Sequence, residues 1–473
     1  MAETLRLNPT GMDDPALTIR QLAASLSERR LSVVDLVRTH LDKAKASQPG
    51  LNAFVAINEE QALIDANSRQ SELERGLRRS LLHGIPFTVK DTIATKDMPT
   101  GMGTAFFSRY APRIDAIPVA AHREAGAILI GKTTSSEFGL KSLTESPACG
   151  VTRNPVNPDL TVGGSSGGSA ASIAVGVSSF SLVTDGGGSS RIPAACTGIY
   201  GLKTTYGTVA SGNQVDTFTN QVATGLIARH PDDLRLGLEQ LTRGHLDFPL
   251  SRLGEAVRDF RGPVLQEANI ACARYLGFGD NHASADAAFD ETVAFLKMQG
   301  AKVDVVDLDL RPFAQSFEVL MILAPLLRLS RLLRSNEDKV DPFILSLLAA
   351  AHDLTASDIA FAEADRPRIF AKIDEALRGR HGLLVPTLRH PPPPHDFYKK
   401  DHAIVRDLQT TWYANAFPFN MSGHPVVSFP TPVTFEKVPV SMQLVGPWYS
   451  DFGLLSLVEE LALPHSINPV GLP

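Results

Sequence analysis

Two glycine- and serine-rich stretches near the middle of the chain, residues 163–169 and 185–191, constrain the fold most strongly. Glycine reaches backbone conformations that other residues avoid, and it lets main-chain groups approach one another closely. The segments between the two stretches are apolar: residues 170–176 are typical of a helix of small residues, and residues 180–184 of a buried strand. We therefore expect two tight loops built beside a sheet, not flexible linkers.

The rest of the chain alternates helical and strand-like segments. Thr18 and Ser32 each begin a helix-start pattern, in which a hydroxyl caps the first free N–H groups. Helices alternating with buried strands indicate an α/β protein. The further predicted segments are helices at 59–79, 117–125 and 451–461, strands at 85–89, 127–130 and 440–444, and a stiff polyproline loop at 391–394.

Composition excludes several classes of protein. The 473 residues include 45 Lys plus Arg and 51 Asp plus Glu, and the net charge of −6 disfavours a nucleic-acid binder. No apolar run approaches the roughly 18 residues of a membrane span, and the first residues lack a secretory signal pattern. Three cysteines are too few for a disulfide framework or a zinc ribbon. We expect a cytoplasmic protein with neither nucleic acid nor membrane as a partner.

The glycine loops do not match a phosphate-binding motif. A P-loop needs Lys after its last glycine, and the dinucleotide fingerprint needs its own glycine spacing; residues 163–169 have neither. An acyl-transfer site fits better, because the N–H groups of Gly186, Gly187 and Gly188 could converge on an oxyanion. Ser189 follows directly and supplies a hydroxyl nucleophile.

A serine nucleophile needs a base, and histidine is not the best candidate here. The thirteen histidines show no triad setting, and His83 and His424 lie beside glycine or proline turns, where we expect structural roles. Burial lowers the pKa of lysine and makes the neutral amine a base. Lys90 follows the predicted strand 85–89 and suits that role, although a lysine at a strand end is more often ion-paired.

Other reactive residues near the loops have simpler interpretations. We expect Ser166 and Ser190 to be loop hydrogen-bonders, and Asp185 and Arg191 to be structural and ion-paired. Cys196 is expected to pack as a small apolar residue. It keeps a cysteine-hydrolase alternative open, but no His or Asn partner is evident.

These motifs together resemble those of the amidase signature enzymes. Residues 163–170 followed by 185–193 are similar to the glycine/serine signature of that family, and residues 83–91 resemble its lysine motif. The spacing agrees, with 75 residues from Lys90 to Ser165 and 24 from Ser165 to Ser189. The similarity extends over nearly the whole chain.

The resemblance implies a Ser–cis-Ser–Lys triad without metal or organic cofactor. Ser189 would be the nucleophile, Ser165 the bridging serine after a cis peptide bond from Gly164, and Lys90 the base. The oxyanion hole would be formed by the backbone N–H groups of Gly186, Gly187, Gly188 and Ser189. A small-molecule amide, hydrazide, carbamate or urea would be the substrate.

The resemblance also implies one α/β domain over residues 1–473, against the two or three domains that length alone suggests. Its fold would be the amidase-signature fold, a large twisted mixed β-sheet covered by helices on both faces. We expect a helical N-terminal segment at 1–60, a catalytic core at about 60–230 and a variable substrate-pocket region at about 300–400. A homodimer stays open.

Several positions depart from the family pattern and leave the substrate open. Ser190 replaces the usual isoleucine, Thr204 the usual proline, and residues 217–225 lack the usual Ser-Leu-Asp-Thr run. The apolar segment 317–333 indicates either a pocket wall or an ordinary core helix. Two other functions stay open: the amidase component of a glutamyl-tRNA amidotransferase, which needs partner subunits, and a non-catalytic scaffold of the same fold.

Overall fold

The strands that the structure describes lie in one large sheet and one small hairpin. The computed structural model describes residues 17–96, 98–210, 221–245, 248–258, 262–329, 337–396 and 412–461. The strands described are β1 (Phe54–Ile57), β2 (Pro86–Lys90), β3 (Ile128–Thr133), β4 (Glu145–Ser146), β5 (Gly150–Val151), β6 (Phe180–Asp185), β7 (Tyr200–Lys203), β8 (Ala223–Ala228), β9 (Asn269–Cys272), β10 (Lys302–Val305), β11 (Gly382–Pro386), β12 (Val426–Phe435) and β13 (Val438–Val445).

Helices flank the large sheet. The α-helices described are α1 (Ile19–Ser27), α2 (Val33–Leu51), α3 (Glu59–Glu74), α4 (Ile117–Glu124), α5 (Gly167–Ala174), α6 (Arg191–Thr197), α7 (Pro231–Leu241), α8 (Leu253–Val257), α9 (Ala283–Met298), α10 (Ala314–Leu329), α11 (Pro342–Ala351), α12 (Ala356–Leu377), α13 (Pro418–Met421) and α14 (Asp451–Glu460). Short 3₁₀ turns are Ala105–Phe107, Glu137–Gly139, Pro249–Arg252, Leu265–Glu267, Arg311–Phe313 and Glu337–Lys339.

The large sheet is mixed, as predicted. Its eleven described strands run in the order β1-β3-β2-β6-β8-β7-β12-β13-β11-β9-β10. Strand β2 pairs in parallel with β3 and β6, whereas β8 pairs antiparallel with β6 and β7. Strands β2, β3, β7 and β8 are buried along their whole length, which explains their continuous apolar runs.

Local sequence signals account for most element boundaries. Thr18 closes a capping box with Gln21 at the start of α1, and the Ser32 side chain caps α2, both as predicted. Helix α3 ends at Glu74, earlier than predicted, because Gly76 takes a left-handed conformation with φ of 78°. Helix α5 begins three residues earlier than predicted and includes two glycines of the first loop.

Sheet topology brings the two predicted loops to one edge. Strands β2 and β6 are parallel neighbours, with Val89 opposite Leu182, so their carboxyl ends meet at the same edge of the sheet. Lys90 is the last residue of β2, and Asp185 is the last residue of β6. The first glycine-rich stretch precedes α5, which leads directly into β6, so both loops approach Lys90.

The described helices differ from membrane spans in length or composition. None of them alone is both long and apolar enough to cross a bilayer. The pair α11 and α12 meets the criterion of length and composition together, but the two helices are bent by 105° at their junction.

Candidate active site

Three predicted side chains form a continuous chain of contacts at this edge of the sheet. Lys90 Nζ lies 2.6 Å from Ser165 Oγ, and Ser165 Oγ lies 3.0 Å from Ser189 Oγ. Both distances allow hydrogen bonds. The Gly164–Ser165 peptide bond is cis, as the resemblance implied. The geometry provides a route for a proton between the amine and the outer serine.

Burial makes Lys90 suitable as a base. Its side chain is fully buried, and this desolvation lowers its pKa to about 7, although the charge of Asp185 acts in the opposite direction. Near neutral pH a large fraction of the side chain is therefore the neutral amine. Ser189, at the other end of the chain of contacts, is only half-buried.

The glycine loop before Ser189 departs from the prediction at one position. Gly188 has a φ of 120°, which only glycine adopts readily, and its N–H donates to Asp185 Oδ1 at 2.7 Å. This N–H points at the carboxylate, because Asp185 lies beneath the loop, and so it is not directed at a substrate oxygen. For Gly186, Gly187 and Ser189, the role of oxyanion donor stays a prediction.

A buried ion pair supports the loop from below. Asp185 and Arg191 have no exposed surface and form a bidentate pair, with Nε–Oδ2 at 3.0 Å and Nη2–Oδ1 at 3.1 Å. Arg191 also donates to Asn420 Oδ1, Gln443 Oε1 and the carbonyl of Ala416. The predicted structural ion pair is confirmed, and it joins the glycine loop before Ser189 to strand β13 and helix α13.

The charge of Asp185 is maintained by this network. Burial alone would raise the pKa of its carboxyl, but the Arg191 charge opposes burial, as do hydrogen bonds from Arg191, Ser190 and Asn420. Together they hold the pKa well below its usual range. The carboxylate therefore stays ionised and keeps accepting the N–H of Gly188.

Arg191→Ala is expected to lower the free energy of unfolding by about 3–5 kcal/mol, because it leaves a buried carboxylate without its counter-ion. The measurement is the shift of the denaturant midpoint by circular dichroism. Arg20→Ala is the matched control: the Arg20–Asp232 pair is half-exposed, and its loss should cost about 0–1 kcal/mol. Equal shifts in the two variants would contradict the structural role given to Arg191.

The two serines beside the triad behave differently from one another. Ser190 Oγ donates to Asp185 Oδ2 at 2.6 Å, so its prediction as a loop hydrogen-bonder is confirmed. The prediction for Ser166 is wrong: within the described residues its buried Oγ has no hydrogen-bond partner. Ser166 occupies the cap position of α5 but its backbone conformation, with ψ of 35°, does not direct the hydroxyl at a free N–H.

Sequence reasoning missed two threonines beside the lysine. Thr184 Oγ1 lies 3.2 Å from Lys90 Nζ and 3.3 Å from Thr92 Oγ1. The available signal was position alone, because both hydroxyls fall within two residues of a predicted site residue at a strand end. Asn420 was also missed, since only the tertiary structure brings it to Asp185.

The remaining candidates take no part in this chain of contacts. His83 Nε2 contacts the carbonyl of Arg69, and His424 Nδ1 contacts Ser422 Oγ, which agrees with structural roles. Cys196 is fully buried, and burial raises the pKa of its thiol, which disfavours a reactive thiolate. In the described part of the chain, no group of three His, Cys, Asp or Glu side chains is placed as metal ligands would be.

A buried lysine linked through one serine to a second, half-buried serine beside a glycine loop is an arrangement suited to a hydrolase with a serine nucleophile.

Comparison with known proteins identifies the family. The sequence profile described as Amidase matches residues 35–455. AmiA2 of Mycobacterium tuberculosis, named as a candidate amidase, is 32% identical over 470 residues, which cover 94% of this chain and 92% of that protein.

A second relative carries a different name. A glutamyl-tRNA(Gln) amidotransferase component from Thermus thermophilus is 30% identical over 491 residues, which cover 95% of this chain and 98% of that protein. The chain belongs to the amidase family, whose members are the amidase signature enzymes. It is accordingly a hydrolase that acts on amide or related C–N bonds.

Solved structures confirm the predicted fold. A crystal structure described as an amidase superposes with a TM-score of 0.82 at 29% identity, over 94% of this chain and 99% of that chain. A bacterial aryl acylamidase of the amidase signature family superposes with a TM-score of 0.84 at 21% identity, over 94% and 95% of the two chains.

Proposed function

We propose that this enzyme hydrolyses the amide bond of a small molecule through an acyl-enzyme formed on Ser189. The observation that carries the proposal is the unbroken contact from Lys90 Nζ through Ser165 Oγ to Ser189 Oγ. A lysine with a pKa of about 7 can accept a proton at neutral pH, and the outer serine is accessible to substrate.

Acylation requires two coupled proton transfers. As Ser189 Oγ bonds to the carbonyl carbon, its proton moves to Ser165 Oγ, and the proton of Ser165 moves to Lys90 Nζ. The carbonyl oxygen becomes an oxyanion. From their positions in the sequence, we expect the N–H groups of Gly186, Gly187 and Ser189 to donate hydrogen bonds to it. Gly188 contributes by orienting the loop through Asp185.

Leaving-group departure reverses the same route. Ser165 gives a proton to the amide nitrogen as the C–N bond breaks, and Lys90 returns a proton to Ser165, so the amine leaves neutral. Water then attacks the acyl carbon and delivers its proton through the same relay. The C–O bond to Ser189 breaks, the carboxylic acid is released, and the three residues return to their starting state.

A fluorophosphonate probe is expected to label Ser189 stoichiometrically. Oγ of Ser189 bonds to phosphorus, fluoride leaves, and the hydroxyl proton passes to Lys90, so labelling reports the activated serine without any known substrate. Intact-mass and peptide mass spectrometry locate the adduct. The labelling rate should fall at least tenfold in Lys90→Met, in which the base is gone.

Ser166→Ala is the matched control for this labelling. Ser166 is a buried serine next to the relay whose hydroxyl has no partner in the described residues, so its loss should leave labelling of Ser189 near the wild-type rate. An adduct on another residue, or labelling that is equally fast without Lys90, would refute the proposal.

A role as the amidase component of an amidotransferase stays as the second candidate because of the 30% identity to the Thermus thermophilus protein. It requires glutamine as the ammonia donor and partner subunits as the receivers. A non-catalytic scaffold is disfavoured, since a scaffold has no need of a buried lysine within 2.6 Å of a serine.

A further inference from the structure

The ring of Phe317, in α10, lies directly against the glycine loop before Ser189. A Cβ built on Gly187 would lie 2.8 Å from Phe317 Cζ and 3.7 Å from both Cε atoms. The tip of the ring therefore points at the α-carbon of Gly187, only two residues from the nucleophile. The ring is 4% exposed, whereas Gly187 and Ser189 are half-buried, so Phe317 forms a wall at the edge of an accessible site.

An aromatic stack holds this wall in place. The ring of Phe317 stacks on Phe417, with centroids 4.6 Å apart and planes at 21°, and Phe417 packs on Phe278 at 5.3 Å. Phe417 follows Ala416, whose carbonyl accepts a hydrogen bond from Arg191 at 2.8 Å. The aromatic wall and the nucleophile loop are thus attached to the same buried arginine, which fixes their relative position.

Apart from the Asp185 carboxylate beneath the loop, the side chains nearest the Cβ positions of the three glycines are uncharged. Besides Phe317, the side chains within 3.0 Å of a Cβ built on the three glycines are those of Val222, Ala416 and Ile192. A charged group of a substrate placed against the ring of Phe317 would lose its hydration without gaining a counter-ion from the ring. An apolar group would instead exchange water for ring and methyl contacts.

The direction of proton transfer decides which half of the substrate meets the wall. The leaving nitrogen must receive its proton from Ser165, so the amine half lies on the Ser165 side of the nucleophile. Gly139 and Thr92 border that side: a Cβ on Gly139 would lie 3.5 Å from Ser165 Oγ and 3.7 Å from Thr92 Cγ2. The acyl half then lies on the side of Ser189 that faces away from Ser165.

We propose that the acyl half meets Phe317 and that this specificity-determining residue selects an uncharged, apolar acyl group. An aryl acyl group would meet the tip of the ring edge-to-face, which is a favoured aromatic geometry. The charged α-ammonium and α-carboxylate groups of glutamine cannot make such a contact with the ring of Phe317. This inference rests on the proposed function, because it assumes acylation of Ser189.

The test compares kcat/KM for benzamide, acetamide and glutamine in the wild type and in Phe317→Ala. The wild type should prefer benzamide to glutamine by roughly 100-fold or more, and Phe317→Ala should lower the benzamide-to-acetamide ratio roughly 10- to 100-fold. The loss should fall mainly on KM for benzamide, since the wall binds the acyl group in both ground and transition states. Phe317→Leu should restore part of the ratio.

Phe313→Ala is the matched control. Phe313 belongs to the same apolar cluster and immediately precedes α10, and it is 7% exposed. It packs beneath the ammonium of Lys372, 5.9 Å from the ring centroid, and is not among the side chains closest to the glycine loop. Its loss should weaken packing but leave the benzamide-to-acetamide ratio unchanged. Ratios within one variant are unaffected by the fraction of misfolded protein.

Three outcomes would overturn the inference: an unchanged ratio in Phe317→Ala, an equal fall in Phe313→Ala, or a wild type that cleaves glutamine better than benzamide. Fluorophosphonate labelling separates this failure from failure of the proposed function. A wild type that is labelled on Ser189 but shows an unchanged ratio loses only the specificity inference. A wild type that is not labelled loses the proposed function and the specificity inference with it.

Discussion

Ser189→Ala is expected to lower kcat/KM for amide hydrolysis by roughly 10⁴-fold or more, because in the proposed mechanism the acyl-enzyme forms on Ser189. Ser189 is half-buried, and its described hydrogen bond is to Ser165, so the substitution removes the proposed nucleophile with little effect on packing. The measurement is steady-state hydrolysis of a benzamide-type substrate, with circular dichroism to verify the fold.

Ser166→Ala serves as the matched variant for this experiment as well. The two serines lie on the two glycine loops, but only Ser189 ends the chain of contacts from Lys90. The variant at residue 166 should hydrolyse the substrate at close to the wild-type rate. Substantial turnover by Ser189→Ala, with the protein folded, would remove Ser189 from the role of nucleophile.

Lys90→Met is expected to lower kcat/KM by roughly 10²- to 10⁴-fold, the usual contribution of a general base. Methionine keeps an unbranched apolar chain in the buried space of the lysine and removes the amine. The fold should persist, because the substitution also removes a buried polar group that costs desolvation. Loss of activity would therefore reflect loss of the base.

The pH dependence has a definite sign. Burial lowers the pKa of Lys90 to about 7, and only the neutral amine accepts a proton. In the wild type, the logarithm of kcat/KM should rise with pH at a slope of one below about pH 7 and reach a plateau above it. Below that pH the protonated lysine cannot accept the proton of Ser165. In Lys90→Met the residual activity should lose this inflection.

Lys203→Met identifies which lysine produces the inflection. Lys203 is also fully buried, and burial followed by the charge of Arg191 lowers its pKa to about 7. Its Nζ donates to the carbonyl of Thr204, not to a triad atom. The inflection should persist in Lys203→Met. If it disappeared there and persisted in Lys90→Met, the assignment of the base would be wrong.

The fold and the candidate site were predictable to different extents. The strands at 85–89 and 180–184 were found because both faces of a central strand are buried. Each ends one residue later than predicted, at the end near the site, and β2 also begins one residue later. Those extra residues are Lys90 and Asp185, the polar residues that face the site. An apolar sequence pattern stops at the first polar residue, so it places the end of such a strand too early.

Some expectations concern residues outside the part that the structure describes. The apolar segment 317–333 begins within helix α10, and Phe317 and Leu320 belong to a buried apolar cluster, which agrees with the interpretation as a core helix; the pocket-wall role of Phe317 stays a proposal, and residues 330–333 lie outside the described residues. Residues 217–220 of the segment that departs from the family pattern also lie outside them. Val222, just after these residues, contacts the glycine loop.

By itself the sequence determined the family, the three residues that meet at the candidate site and most local structure, because motif spacing, caps and apolar periodicity act over short distances. The tertiary structure alone decided three further properties: the burial that lowers the pKa of Lys90, the engagement of the Gly188 N–H by Asp185, and the placement of Phe317 against the loop. The pKa of Lys90 and the placement of Phe317 depend on packing between distant segments. The Arg191–Asn420 contact, across 229 residues, does so as well. Such contacts form only when the sheet and its flanking helices assemble, so no local pattern specifies them.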